Sequence, residues 1–185
     1  MLTALEKIKT NRMFGKRIKL HSGKKGICNI VGIITNETTK KNRLIFGANI
    51  VTNDGDQYYA QEGAGEATAF TVAGNRLGTA ITPASSKTST DVTTFLAGSG
   101  KAIDATYPRT NDGDADNTGS GIDVVTWRIS YATTEGNGNG ITEGALVDNI
   151  TTPTKALTHY EFAASFNKTP SDTLKIFGNH QMNGV

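Results

Sequence analysis

The sequence predicts an all-β domain, a β-sandwich with a jelly-roll-like arrangement, and three observations support this fold class. Thr and Gly are abundant, and the 185 residues include 21 glycines but only four prolines. β-Branched side chains fit a pleated sheet, and glycine supplies the positive φ that tight turns need. Several segments alternate apolar and polar residues, and short polar links such as EGNGNG join them. Alternating strands at this spacing favour a sandwich over a helical or α/β fold.

Three segments near the C-terminus carry the alternation most clearly. In DVVTWRISYATT, the apolar side chains that share one face are Val125, Trp127, Ile129 and Tyr131. The segments THYEFAASFN and DTLKIFGNHQM repeat this period of two, which is what a half-buried strand requires. In the last segment, Phe177 points to the face opposite Leu174 and Ile176. The three segments therefore predict three strands of the sandwich.

Composition divides the chain into a basic N-terminal arm, residues 1–43, and a sandwich domain, residues 44–185. Within the arm, TALEKIKTNRMFGKRI predicts a short amphipathic helix and GICNIVGIITN predicts a short strand. In the domain, RLIFGANIV predicts a strand, whereas residues 82–122 are rich in Ser, Thr, Asp and Gly. A link of that length in a compact domain is either functional or built on a partner. We therefore expect residues 82–122 to form an ordered surface excursion.

Charge is unevenly distributed between the two parts. Residues 1–43 carry 11 Lys and Arg against two Glu, a formal +9, and residues 44–185 carry −7, which together give the net +2. A basic arm beside an acidic body predicts an anionic partner, either another protein or a neighbouring copy of the chain. Nucleic acid is disfavoured, because no aromatic residues alternate with the lysines to stack on bases. The candidate contact residues of the arm are Lys7, Lys9, Arg12, Lys16, Arg17, Lys19, Lys24 and Lys25.

A run of aspartates, NDGDADNTGSGID, is the best candidate for a metal site. Its oxygen-bearing side chains have the spacing of an EF-hand-like calcium loop, which supplies hard oxygen ligands. The candidate calcium ligands are Asp112, Asp114, Asp116, Thr118 and Asp123. The alternative is a surface turn that side-chain to backbone hydrogen bonds stabilise. The earlier copy of NDGD, residues 53–56, predicts a hairpin turn of the Asp-Gly type.

No other pattern predicts catalysis or a cofactor. The single cysteine, Cys28, excludes an intrachain disulfide and a Cys-based zinc site, and its apolar neighbours predict a buried thiol. His21, His159 and His180 lack metal-ligand spacing and are expected to be surface or satisfied interior residues. There is no Gly-x-Ser-x-Gly motif, and LAGSGKAI departs from a phosphate loop at both ends. The sequence therefore predicts a non-enzymatic protein with no cofactor other than calcium.

Membrane contact is not expected from the sequence. No apolar run reaches the ~18 residues that cross a bilayer. The basic N-terminus also lacks the apolar core of a secretory signal, so no signal peptide is expected.

Three stretches of residues 44–185 carry a resemblance to a known group of proteins. They are VTNDGDQYYAQ, KAIDATYPRTNDGDADNTGSGIDVVTWRISYATTEG, and GITEGALVDN followed by HYEFAASFNKTPSDTLKIFGNHQMNG. In these stretches the domain resembles small structural proteins of tailed bacteriophages. The resemblance implies a non-enzymatic virion protein, assembled in the host cytoplasm, and first of all a capsid decoration (cement) protein. Such a protein would form a symmetric homo-oligomer and bind major capsid subunits. The alternative is a neck or tail component, such as a fibre or adaptor.

A carbohydrate-binding module is a third and less favoured alternative. β-Sandwiches with calcium loops can bind sugars, but a sugar platform usually presents several exposed aromatic side chains. Trp127 lies on the apolar side of its strand and is expected in the core. Tyr58, Tyr59 and Tyr107 are then the candidate contact aromatics.

Overall fold

The protein is mostly β and has a sandwich-like fold, which confirms the predicted fold class. A computed structural model describes residue 13, residues 15–110 and residues 124–181. A large curled antiparallel sheet of nine strands forms the body, and a separate sheet of two strands packs beside it. No helix of the described part of the chain has the length and apolar character to span a membrane.

The two-stranded sheet comes first in the chain and the nine-stranded sheet follows. The small sheet consists of β1 (Arg17–Lys19) and β2 (Lys25–Ile27). The elements of the body are β3 (Ile30–Asn36), β4 (Asn42–Val51), α1 (Asn53–Ala64), β5 (Gly74–Gly78), β6 (Lys101–Ala102), β7 (Arg109–Thr110), β8 (Val124–Tyr131), β9 (Gly138–Val147), β10 (Ala156–Lys168) and β11 (Asp172–Gln181). Across the body the strand order is β6-β5-β9-β10-β4-β3-β11-β8-β7.

The large sheet curls until its two ends meet around one core. Tyr131 of β8 accepts a hydrogen bond of 2.8 Å from the Asn75 amide of β5, although five strands lie between β5 and β8 in the sheet order. The amide of Asp104, just after β6, also donates to the carbonyl of Arg128 in β8 at 3.0 Å. The concave face is therefore enclosed, and it holds the largest apolar cluster of the described residues.

The predicted alternation is confirmed in β8 and β11, and in β10 it holds for Tyr160, Phe162 and Phe166 but not for Ala164, which is exposed. Trp127, Ile129 and Tyr131 are all buried in the main core, and Val125 packs against it from a partly buried position. Phe177 lies on the opposite face, where it packs with Ile33. Trp127 is only 1% exposed, so the expectation that it is a core residue is also confirmed.

Part of the segment predicted as an arm belongs to the large sheet. β3 pairs with β4 on one side and with β11 on the other, so residues 30–36 lie inside the sheet. The reason is its apolar sequence, IVGIITN, whose first five residues are all buried. Residue 43 is thus not a structural boundary, and only β1 and β2 stand apart. Most of the predicted amphipathic helix lies outside the described residues, and its last two residues, Arg17 and Ile18, belong to β1 instead.

The first NDGD copy begins a helix, so the prediction of a hairpin turn is wrong. Thr52 caps α1, and its hydroxyl oxygen accepts a hydrogen bond from the Gly55 amide at 3.0 Å. Asp54 and Asp56 lie in the first turn, where carboxylates favour the helix dipole. Gly65 ends the helix in the left-handed region, with φ of 71°. A threonine cap and two acidic residues therefore outweigh the Asp-Gly turn signal.

The first part of the predicted excursion forms a covering layer over the sheet. Residues 82–100 contain no named strand, and residues 89–94 lie against the outer face of β9 and β10. Val92 anchors them, because its buried side chain packs against Ala145, Val147 and Ala156. Residues 101–110 of the excursion contain β6 and β7, and residues 111–122 lie outside the described residues.

Candidate functional site

The basic residues of the small sheet form an exposed surface. β1 and β2 pair antiparallel, with Arg17 opposite Ile27 and Lys19 opposite Lys25. Ile18 lies between Arg17 and Lys19 and is buried, so the two cations point outward. The side chains that form this surface, called here the basic small sheet, are Lys16, Arg17, Lys19, Lys24 and Lys25, and all are exposed.

The small sheet is fastened to the outer face of the body. Ile18, Leu20 and Cys28 pack with Ala48 of β4 in an apolar cluster of their own. Gly26 permits this close approach, since a Cβ at this position would lie 2.5 Å from the Cβ of Ala48. The basic small sheet is therefore held in a fixed position by apolar contacts.

A buried carboxylate ties the turn between β1 and β2 to the body. The Ser22 hydroxyl donates to Glu161 Oε2 at 2.9 Å, and the Ser22 amide donates to Oε1 of the same carboxylate. The amide of His21 donates to the carbonyl of Phe162 at 2.9 Å. These three bonds join the turn to β10.

We expect substitution of Glu161 by Ala to loosen this turn. The variant removes both acceptors of Ser22, and a lost hydrogen bond to a charged group costs about 1.5–3 kcal/mol. Hydrogen exchange of the Ser22 amide should therefore accelerate about tenfold or more, as measured by NMR or mass spectrometry. The Ile176 amide of β11 serves as the internal control and should be unchanged. Equal protection of Ser22 in both proteins would contradict the proposed tie.

The electrostatics of the basic small sheet leave its charge available to a partner. Residues 15–28 contain no Asp or Glu, and none of the five cations forms an ion pair with another residue that the structure describes. Arg17, Lys25, Gly26 and Ile27 line a cleft of about 260 Å³, and Ile27 is 50% exposed. The surface thus combines positive charge, unpaired among the described residues, with an apolar contact.

The other residues predicted for the two sites fall outside the described part of the chain. These are the arm cations Lys7, Lys9 and Arg12 and the calcium candidates Asp112, Asp114, Asp116, Thr118 and Asp123. Within residues 15–110 and 124–181, no group of three or more His, Cys, Asp or Glu side chains is arranged to hold a metal ion. The calcium hypothesis therefore stays a prediction.

Cys28 is a buried thiol, as expected from the sequence. Its side chain is fully buried in the cluster beneath the small sheet. Burial raises the pKa of the Cys28 thiol to about 11, which outweighs the opposing effect of a hydrogen bond with the Gly47 backbone. The thiol therefore stays protonated near neutral pH and is a poor nucleophile.

The covering layer closes over a buried polar group that the sequence did not reveal. His159 of β10 places Nε2 2.7 Å from Oε2 of Glu143 in the neighbouring strand β9. Its other nitrogen, Nδ1, lies 3.1 Å from the hydroxyl oxygen of Ser89 in the covering layer. The exposed fraction is 1% for His159 and 0% for Glu143, whereas Ser89 is half-buried. These three residues are called here the Ser89 triad.

Glu143 is ionised and held by several donors. Burial alone would raise the pKa of Glu143, but hydrogen bonds from His159 and from two backbone amides outweigh burial and lower it below the usual glutamate value. The amides belong to Thr93 and Thr94, which donate to the two carboxylate oxygens at 3.1 and 3.0 Å. The carboxylate therefore binds both the histidine and the covering layer.

An arginine fastens the same layer nearby. Arg76 of β5 donates through Nη1 to the carbonyls of Ile150 and Thr151 at 2.9 and 2.8 Å. Its Nε lies 3.0 Å from Asp91 Oδ1, an ion pair that is not aligned as a hydrogen bond. The Phe95 ring stacks on the guanidinium at 3.5 Å. The covering layer thus has a fixed position over the Ser89 triad.

Sequence reasoning missed the triad because its members are far apart in the chain and no motif contains them. Alternation placed His159 on the polar side of its strand, and it does face away from the core that holds Tyr160. That outer face is nevertheless buried, because the covering layer lies on it. The alternation of polar and apolar residues within β10 does not show whether a loop from elsewhere in the chain covers the polar face.

The second interior histidine is also satisfied by partners. His180 contacts the Tyr59 hydroxyl through Nδ1 and the Asn49 side-chain amide through Nε2. Trp127 Nε1 donates to the same Tyr59 hydroxyl at 3.0 Å. Burial lowers the pKa of His180 to about 4, so the ring is neutral at neutral pH. The prediction of satisfied interior histidines is confirmed for His159 and His180.

The candidate sugar-binding aromatics all have partners within the chain. Tyr58 packs edge-on against Trp127, and Tyr59 makes the hydrogen bonds described above. The Tyr107 ring lies under the guanidinium groups of Arg109 and Arg128, at 4.7 and 4.3 Å. These contacts give each ring a role in packing.

Comparison with known proteins identifies no relative. No family model, no curated protein and no solved structure matches the chain. The fold and its sites therefore carry the functional argument.

Proposed function

We propose that the protein is a structural protein of a tailed-phage virion, a capsid decoration protein that binds acidic surfaces of the major capsid subunits. The observation that carries this proposal is the basic small sheet, which presents five exposed cations from a fixed position on the body. The resemblance of residues 44–185 to phage structural proteins supports it from the sequence. We further propose that the protein acts as a homo-oligomer in the assembled virion.

Charge distribution favours a protein partner with an acidic surface. Opposite charges steer association and fix orientation, while an apolar contact such as Ile27 adds affinity when it is desolvated. The five cations are lysines and one arginine without interleaved aromatic rings, which is unlike a surface for single-stranded nucleic acid. An acidic capsid face therefore fits this surface better than a nucleic acid does.

The number of copies per particle tests the proposal directly. Purified particles of the phage whose genome encodes the chain are analysed by quantitative mass spectrometry, with the major capsid protein as the internal standard. A copy number in the hundreds supports a decoration protein. A dozen copies or fewer would replace this role by a neck or tail role, and absence from the particle would overturn a virion function.

We expect the double variant Lys19→Glu and Lys25→Glu to weaken capsid binding about tenfold or more at low salt. The two residues face each other across β1 and β2, so the substitutions reverse the charge at the centre of the basic small sheet. Interface charges act mainly on the association rate and on the salt dependence of binding. Binding to capsids that lack the protein is measured by co-sedimentation at several salt concentrations.

The matched control is Lys40→Glu with Lys41→Glu, which changes the net charge equally at another exposed site. The control variant should bind nearly as well as the wild type. Equal weakening in both variants would show that net charge matters and that the basic small sheet is not the contact surface.

A further inference from the structure

We propose that Ser89, His159 and Glu143 form a nucleophilic triad that cleaves small acyl esters at the surface of the protein. This inference goes beyond the structural role proposed above and does not depend on it. It rests on the geometry of the Ser89 triad, on its burial and on the backbone amide of the residue that follows the serine.

The hydrogen bonds of the triad set the protonation pattern that a general base needs. The ionised Glu143 carboxylate can only accept, so the 2.7 Å contact places a ring proton of His159 on Nε2. Nδ1 is then an acceptor, and the hydroxyl of Ser89 lies 3.1 Å from it. A nucleophile within reach of a base, which a third group orients, is the arrangement that activates a serine.

The surroundings of Ser89 direct its proton toward the histidine. The amide of Ser86 donates to Ser89 Oγ at 3.0 Å, so one lone pair of this oxygen is already used. The hydroxyl proton is free to point at Nδ1 of His159. The Ser86 hydroxyl, 3.2 Å away, is a second donor or acceptor to the same oxygen. Ser89 is thus held in place by its own loop.

Burial distinguishes the three members in the way that the chemistry requires. His159 and Glu143 are shielded from water, which strengthens the electrostatic contact between them. Ser89 lies at the outer edge of the group and is half-buried, so its oxygen is the part that a substrate can reach. The hydroxyls of Ser86 and Thr88 lie close to Ser89 and make its surroundings polar. This polar, shallow setting suits a short acyl group such as acetyl better than a long apolar chain.

A donor for the developing oxyanion is available beside the serine. The amide of Thr90, the residue directly after Ser89, donates no hydrogen bond to any residue that the structure describes. In many serine hydrolases, the amide that follows the nucleophile is one of the oxyanion donors. We assign this role to the Thr90 amide.

The reaction proceeds in two balanced halves. Ser89 Oγ attacks the ester carbonyl carbon while its proton moves to His159 Nδ1, and the carbon–oxygen bond to the alcohol breaks as the imidazolium returns that proton to the leaving alkoxide. Water then attacks the acyl-serine, again giving a proton to Nδ1, and the proton passes to Ser89 Oγ as the acid leaves. The net change is hydrolysis of an ester to an acid and an alcohol, with no other reactant.

A purely structural triad is the competing explanation, because the same contacts fasten the covering layer to the sheet. A fastening role requires the hydrogen bonds but not a reactive serine oxygen. Covalent labelling therefore separates the two explanations, since it reports nucleophilicity and not stability.

The test uses diisopropyl fluorophosphate, which forms a bond between phosphorus and the oxygen of an activated serine and releases fluoride. We expect intact-mass spectrometry of the full chain to show a single adduct and peptide mapping to place it on Ser89. Ser89→Ala should abolish the adduct. Ser165→Ala, at an exposed position of β10 away from the triad, is the control and should keep the adduct. No adduct on the wild type, with a known serine hydrolase labelled in parallel, overturns the proposal, as does an adduct that persists in Ser89→Ala.

Glu143→Gln tests the role of Glu143 as a positioning residue. The amide can donate to His159 Nε2, which would turn the ring proton onto Nδ1 and remove the base that faces Ser89. We expect the labelling rate to fall about a hundredfold or more, as loss of the correct tautomer does in other triads. Far-UV circular dichroism checks that the variant is folded. An unchanged labelling rate in the folded variant would overturn the proposal of a nucleophilic triad. Neither result bears on the proposed virion role, which the copy number per particle tests separately.

Discussion

The free energy of unfolding should fall by about 2–3 kcal/mol as the pH is lowered from about 7 to about 4.5, because His180 is buried in its neutral form. Burial lowers the pKa of His180 to about 4, against an ordinary value of 6.5.

The surroundings of His180 explain why its protonated form is unfavourable. The side-chain nitrogen of Asn49 donates to Nε2, because Asn49 Oδ1 already accepts from the side-chain amide of Asn29. Nδ1 then carries the ring proton and donates to the Tyr59 hydroxyl. A second ring proton would face a donor at Nε2 without any acceptor, in a site that water does not reach.

The direction of the pH effect follows from proton binding in the two states. The unfolded chain protonates His180 as the pH falls through about 6.5, whereas the folded protein does so only near pH 4. Between these values the unfolded state holds more protons, so acid favours unfolding. The stabilisation is complete above about pH 6.5 and is lost as the pH falls toward 4.

Chemical denaturation at several pH values measures the effect, and His180→Gln is the control. Glutamine does not titrate and can still both donate and accept, so its pH dependence above about pH 4.5 should be much weaker than that of the wild type. Glu143, Asp148 and Asp172 have a lowered pKa, and their contributions to stability are lost only in more acidic solution. Parallel curves for the two proteins above pH 4.5 would show that His180 is not responsible.

Replacement of Asn75 by Ala should lower the free energy of unfolding by about 2–4 kcal/mol. Asn75 of β5 links two tyrosines at the centre of the curled sheet. Its amide nitrogen donates to the Tyr131 hydroxyl at 2.8 Å, and its Oδ1 accepts from the Tyr160 hydroxyl at 2.9 Å. All three side chains are at most 2% exposed.

The cost arises from hydroxyls that lose partners in a site without water. Tyr131 can still donate to the Ser99 carbonyl at 3.0 Å, but Tyr160 loses its acceptor. An unsatisfied buried hydroxyl costs about 1–3 kcal/mol, and the space that the asparagine leaves adds to this. The contact between Asn75 and Tyr131 also joins strands from opposite ends of the sheet order, so its loss weakens the closure of the core.

Urea denaturation of Asn75→Ala and the wild type gives the difference directly. Asn139→Ala, at an exposed position of β9, is the matched control and should change stability by less than about 0.5 kcal/mol. If Asn75→Ala cost no more than this control, the buried network would contribute nothing to stability.

Much of the strand structure could be predicted because each strand carries its own pattern. The alternation around Trp127 identifies β8, and the opposite placement of Phe177 and Ile176 identifies the two faces of β11. A period of two depends only on neighbouring residues, so the sequence shows it without a partner. The cations of the basic small sheet were identified in the same way, because charge is a property of the residues themselves, but the pairing of β1 with β2 was not predicted.

The Ser89 triad could not be predicted, because only the pairing of distant strands creates it. Glu143 and His159 become neighbours when β9 and β10 pair, and Ser89 joins them when the covering layer crosses that face. No local motif records such a meeting. Glu143 also holds the covering layer through two backbone amides. Such contacts leave no mark in the sequence, because every residue except proline has a backbone amide that can donate.

The first NDGD copy shows the difference between what the sequence determines and what only the tertiary structure decides. The sequence by itself determined that the chain is mostly β, that its core alternates with period two and that its cations are concentrated near the N-terminus. The tertiary structure alone decided that residues 53–56 begin α1, that residues 30–36 join the large sheet and that a polar strand face is buried. The physical reason is that periodicity and charge are properties of a segment, whereas burial and hydrogen-bond partners depend on what packs against it.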